Sequence, residues 1–120
     1  MPPPSPLVIA TGAVNRLLKE EASYHKELEE QEAQVKAQED KVKSGQEDED
    51  GNATYILKQQ QMVVEQTKAV FKPLRDRIRA AVEKLEDLVA SEEKNETATP
   101  EELANAKAAL DKAKAKEETS

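Results

Sequence analysis

ILKQQQMVVEQTKAVFKPLRDRIRAAVEKLEDLV, residues 56–89, is the stretch whose reading decides the fold. Ile56, Val63, Val70, Leu74, Ile78, Ala81, Leu85 and Leu88 recur at steps of seven, four and three, the spacing of a single helix face. Leu57, Val64, Phe71, Val82 and Val89 form a second line beside it. An apolar face this broad suits a central helix that touches two neighbours. Pro73 lies inside the pattern. A proline there removes one backbone donor and clashes with the carbonyl of Ala69, at a cost of about 3 kcal/mol. The stripe nevertheless continues from Val70 to Leu74 and Ile78, so packing on both sides must offset that cost. The segment reads as one helix over about 53–90, kinked at Pro73.

Upstream, Val14, Leu17, Tyr24, Leu28, Val35 and Val42 make a narrower stripe, widened early by Leu18 and Ala22. It predicts a flanking helix over about 12–44, roughly 50 Å long, with Thr11 as cap or near-cap. Glu21, Gln31 and Gln38 interrupt the stripe where a strict coiled coil needs apolar residues. Glu32/Lys36 and Glu39/Lys43 sit on its polar faces in the favourable i,i+4 order. Residues 1–10 read as a flexible, proline-rich, extended arm. Residues 44–52, with Gly45, Gly51 and the acids Glu47, Asp48, Glu49 and Asp50, read as a solvated loop in which Gly45 ends the helix. A second polar loop spans 91–98. Thr99-Pro100-Glu101-Glu102 then gives a strong start signal: a capping Thr, a Pro at the first helical position and a Glu placed for the reciprocal capping bond. The third helix follows over about 100–115 through Leu103, Ala106, Leu110 and Ala113, and residues 116–120 are expected to fray. The fold expected is all-α: one elongated antiparallel three-helix bundle over 11–115 with coiled-coil-like packing.

Composition narrows the function. The 120 residues are 36% charged with a net charge of −7, and the aromatics are only Tyr24, Tyr55 and Phe71. High charge with low hydropathy also suits disorder, but apolar residues at helical spacing argue for order. There is no cysteine, hence no disulfide, thiol nucleophile or thiolate metal site. No signal peptide or membrane span is read, which makes a soluble cytosolic protein the expectation; the sequons at Asn52 and Asn95 are then chance matches.

Candidate chemistry is sparse. His25 is the sole histidine, flanked by Glu21 and Glu29 at i±4, and lacks the further ligands that a metal site needs. Asp48, Asp50 and Asn52 alternate like a calcium loop, but Gly51 falls at position 4 rather than 6 and Gln59 stands where a bidentate Glu belongs. No nucleophile elbow or phosphate-cradling glycine loop exists, so no catalytic residue, metal or cofactor is assigned. Tyr24 and Phe71 read as core or core-edge residues. Lys72-Pro-Leu-Arg75-Asp76-Arg77-Ile-Arg79 is a local run of positive charge in an acidic chain. It is too short and too poor in aromatics for nucleic acid. A solvated face with salt bridges to the first helix is the plain reading, and docking of an acidic partner surface is the functional one.

Taken in order, several segments resemble one family. Thr11-Gly12-Ala13-Val14-Asn15-Arg16-Leu17-Leu18-Lys19-Glu20-Glu21 opens the first helix, followed by Tyr24-His25-Lys26-Glu27 and Gln31-Glu32. Tyr55-Ile56-Leu57-Lys58-Gln59-Gln60 opens the second, Pro73 interrupts it, and Ala106-Lys107-Ala108-Ala109-Leu110-Asp111 lies in the third. Together they resemble tubulin-specific chaperone A, also called tubulin-binding cofactor A, over about residues 8–115. The resemblance implies a cytosolic, cytoskeleton-associated cofactor, without catalysis or nucleotide, that captures β-tubulin after chaperonin release and before assembly with α-tubulin. Other tubulin-folding cofactors are further candidate partners. The family offers no short binding motif to carry over, so the partner-binding candidates come from charge alone: Lys72, Arg75, Arg77 and Arg79, with Arg16 and Lys19 as neighbours on the first helix.

Three rivals are weighed. A structural coiled-coil dimer or scaffold needs sustained heptads, against which Glu21, Gln31, Gln38 and Pro73 all argue. A prefoldin-type subunit needs strands between its helices, and 44–52 has no strand pattern. Surface binding to membranes through residues 7–14 is disfavoured by nearby acidic charge. The expected state is a monomer or a weak dimer.

Overall fold

The computed structural model describes residues 3–45 and 51–119. The described chain is all-helical: α1 spans Pro6–Lys43, α2 spans Asn52–Asn95 and α3 spans Pro100–Thr119. No strand occurs among the described residues. The chain divides into two compact units, one of Met1–Glu20 with Leu74–Ser120 and one of Glu21–Pro73.

Helix α1 begins at Pro6, not near residue 12. Ser5 is the cap: its Oγ accepts from the Val8 N–H at 3.2 Å, and its carbonyl accepts the first helical bond from Ile9 at 3.0 Å. Pro6 occupies the first helical position, where a missing N–H costs nothing. Residues 6–10 of the expected arm are therefore helical. Leu7 and Ala10 become core residues. Thr11 is not a cap but a buried mid-helix residue whose hydroxyl donates back to the Leu7 carbonyl at 2.8 Å. At the other end Gly45 takes a positive φ of 76° and its N–H reaches the Val42 carbonyl at 3.2 Å, the helix-ending role read from the sequence.

Helix α2 continues through Pro73 and on to Asn95, beyond the expected end near 90. The run 91–95 is polar, but Glu and Lys are good helix formers and need no buried face to extend a helix. Glu96 ends it at φ 54°, with the Thr97 N–H reaching the Glu92 carbonyl at 3.4 Å across the left-handed residue; the Thr97 hydroxyl also bonds the Glu92 carboxylate. Helix α3 opens as expected. The Thr99 N–H donates to Glu102 Oε1 at 3.0 Å, and the Glu102 N–H donates to Thr99 Oγ1 at 3.1 Å, a reciprocal capping pair. It runs on to Thr119 rather than fraying from residue 116.

The first unit is built on one apolar core that takes Leu7, Ala10, Val14 and Leu18 from α1, Leu85 and Val89 from α2, and Ala106, Ala109 and Ala113 from α3. Ile78, Ala81, Val82, Leu88, Leu103 and Leu110 pack against it. The second unit is a hairpin of α1 and α2. His25 meets Phe71 while Gln38 meets Ala53, so the two helices run antiparallel there. Its seam is more polar. Glu21, Gln38 and Thr67 are buried in it beside Ala53, Val64 and Phe71. Gln38 donates to the Ala53 carbonyl at 2.9 Å. Gln31 donates to Glu27 at 3.2 Å, while the buried Oε1 atoms of Gln31 and Gln60 have no hydrogen-bond partner among the described residues.

Candidate functional site

The cationic residues singled out from the sequence are not one patch. Arg75 and Arg79 are one helical turn apart on α2 and share a face, whereas Arg77, midway between them, projects from another. Arg75 is half-buried and engaged; Arg77 and Arg79 are exposed. Arg77 approaches Glu20 of α1 at 3.5 Å and Arg79 approaches Asp76 at 3.8 Å. The salt bridge to helix 1 read from the sequence is therefore present for Arg77. On α1, Arg16 lies one turn before Glu20, and both Arg16 and Lys19 are exposed. Lys72 is exposed and belongs to the hairpin unit. Exposed pairs of this kind are worth about 0–1 kcal/mol, so a partner carboxylate can compete for these arginines at little cost.

A second surface is apolar. In the hairpin unit Tyr55, Ile56, Met62 and Val63 remain 61%, 43%, 53% and 42% exposed. Tyr55 and Met62 are seven residues apart, as are Ile56 and Val63, so the four stack over two turns. Gln59 and Gln66 lie between them, and the charges of the same segment, Lys58, Glu65 and Lys68, fall outside this arc. Ile56 and Val63 belong to the first apolar line read in α2, part of the broad face expected to touch two neighbours. Their periodicity was legible; their exposure was not.

A family model described as tubulin binding cofactor A matches residues 2–110. The chain belongs to the tubulin binding cofactor A family. Tubulin-specific chaperone A of Mus musculus is 33% identical over 106 residues, covering 88% of each chain. The proteins of that name from Rattus norvegicus and Oryctolagus cuniculus are 33% and 32% identical over the same length. No solved structure matches the chain. The resemblance read from the ordered segments between Thr11 and Asp111 is borne out by these matches.

Three rings of this tubulin binding cofactor A family member pack on one another in the hairpin unit. His25 stacks on Phe71 with ring centroids 4.5 Å apart and an interplanar angle of 29°, and Tyr24 meets the same ring edge-on at 6.4 Å. Phe71 is buried and Tyr24 half-buried, which places both at the core or its edge. Among the described residues no group of three or more His, Cys, Asp or Glu could hold a metal ion. Asp48 and Asp50 of the calcium-loop pattern lie outside the described residues. No described helix is long and apolar enough to cross a membrane.

Proposed function

We propose that this protein is a tubulin-folding cofactor that captures β-tubulin after chaperonin release and holds it, without catalysis, until it assembles with α-tubulin in the cytosol. The observation that supports the reading is the family match across residues 2–110, which spans all three helices. The antiparallel packing of the three helices and a bend at Pro73 belong to the same proposal. Arg77 and Arg79, with Arg16, Lys19, Arg75 and Lys72, are proposed as the charges that attract an acidic tubulin surface, an effect that acts mainly on the rate of encounter.

A pull-down from a eukaryotic extract tests the partner: β-tubulin should co-elute without α-tubulin. Recovery of no tubulin, or of the α/β heterodimer alone, would refute the reading. The charge assignment is tested by Arg77→Glu with Arg79→Glu, which should slow capture several-fold at low salt and converge on the unmodified protein at high salt. Equal capture rates at low salt would remove these arginines from the surface.

A further inference from the structure

We propose that the charge-free face of α2 formed by Tyr55, Ile56, Gln59, Met62, Val63 and Gln66 is where an amphipathic helix of the tubulin subunit docks, in the manner in which α3 packs on the same helix farther along. The proposal rests on the tubulin reading above and deepens it. The starting observation is a mismatch of lengths. α2 has 44 residues and α3 has 20. At ~1.5 Å per residue, α3 can line roughly 30 Å of a helix more than twice that long.

The two apolar lines of α2 fare differently on the two sides of Pro73. In the first unit, Leu74 and Leu85 are fully buried, and Ile78, Ala81 and Leu88 pack against a core to which α3 contributes three alanines. In the hairpin unit the second line is still buried, at Val64 and Phe71, but Ile56 and Val63 of the first line are open to solvent. α3 belongs wholly to the first unit. The sequence therefore keeps writing a helix-covering stripe into a region with no third helix, and extends it with Tyr55 and Met62.

The composition of the face selects the occupant. More than a third of this chain is charged, yet between Tyr55 and Val70 the charges Lys58, Glu65 and Lys68 all avoid this arc. Such a face rejects a charged partner surface, because each charge buried without a counter-ion is costly. It accepts the apolar side of a helix, and Gln59 and Gln66 can bond polar groups at its margin. A second copy of this chain, which would bring its own net charge of −7 to the contact, is the other occupant that the experiment separates.

The test uses the full chain carrying Ile56→Lys and Val63→Lys, titrated against in vitro translated, labelled β-tubulin. Both sites are exposed, and Lys is a better helix former than Ile or Val, so helix content and the unfolding midpoint should hold. Capture should weaken at least tenfold, whereas Glu65→Lys, off the face, should leave it unchanged. Undiminished capture by the folded double variant overturns the proposal. If the double variant does not fold, Ile56→Gln with Met62→Gln replaces it under the same criterion. Loss of self-association in sedimentation, with capture intact, also overturns it and assigns the face to a second copy. If the unmodified chain captures no tubulin, the functional reading itself fails, and the proposal fails with it.

Discussion

Replacing Ala106 by Leu should destabilise the protein, although it adds apolar surface to the core. Ala106, Ala109 and Ala113 are the buried residues that α3 brings to the shared core, with Leu103 and Leu110 packed against it, and Ala106 is 0% exposed. Small side chains let two helices approach toward the short end of the usual 8–10 Å separation. Leucine adds three carbons. In a site with room they would contribute about 2 kcal/mol of stability, at ~0.8 kcal/mol per buried carbon, and the difference in helix propensity between Ala and Leu is small. Position 106 lies in a core whose Leu7, Val14 and Leu85 are, like Ala106 itself, fully buried, and close packing there is the premise that the substitution tests. Overpacking such a site typically costs 1–3 kcal/mol, so a loss of about 2 kcal/mol is expected. With a urea m-value of about 2 kcal/mol/M, the unfolding midpoint should fall by roughly 1 M. Urea titration followed by far-UV circular dichroism measures it. Ala108→Leu, on the exposed side of the same helix, is the matched control and should stay within about 0.5 kcal/mol. A midpoint for Ala106→Leu equal to or above that of the unmodified protein would refute close docking of α3 through its alanines.

Two further substitutions probe the helix ends. Thr99→Ala removes the hydroxyl that accepts from the Glu102 N–H; it should cost about 1 kcal/mol, read as a lower urea midpoint, and Thr99→Ser should restore most of it. Glu96→Gly relieves a left-handed residue at φ 54°; the gain should be about 0.5–1 kcal/mol after the entropy of a flexible glycine in the unfolded chain is subtracted, and a lower midpoint would mean that the Glu96 side chain makes a contact worth more than the strain.

The helices were legible wherever a buried stripe writes itself into the sequence, and their ends only where a local signal was unopposed. Thr99-Pro100-Glu-Glu was read correctly as a start. Ser5-Pro6 is the same device, a hydroxyl cap followed by proline, but Pro2, Pro3 and Pro4 precede it and their composition argues for an extended arm. The cap decides, because Leu7 and Ala10 have a core to enter. Glu21 and Gln38 were read as interruptions of the first stripe. Both are buried. Their positions were right and their environment was not legible, since a polar seam depends on partners supplied by another helix, as the Ala53 carbonyl is for Gln38. The cationic run showed the opposite failure. Adjacency in sequence suggested one patch, while helix geometry sends Arg77 toward Glu20 and Arg79 toward Asp76.

The expectation of a broad-faced α2 that touches two neighbours meets an arithmetic already present in the chain. A third helix of about 16 residues, as expected, or of 20, as observed, cannot line a 44-residue helix. What remains uncovered is not compensated inside the hairpin. Its seam holds Gln38, Thr67 and Glu21 beside Ala53, Val64 and Phe71, and buried Gln31 and Gln60 oxygens have no partner among the described residues. The cluster that forms the hydrophobic core lies entirely in the other unit. A chain selected only to fold would place apolar residues in that seam and polar ones outside. This chain instead buries Gln38 and Thr67 within and leaves Tyr55, Ile56, Met62 and Val63 exposed without. The apolar residues withheld from the seam are thus the ones available to another molecule. The hairpin is therefore the part of the protein whose stability a bound helix would raise most, because cover on that face removes from water the apolar area that the chain cannot bury by itself.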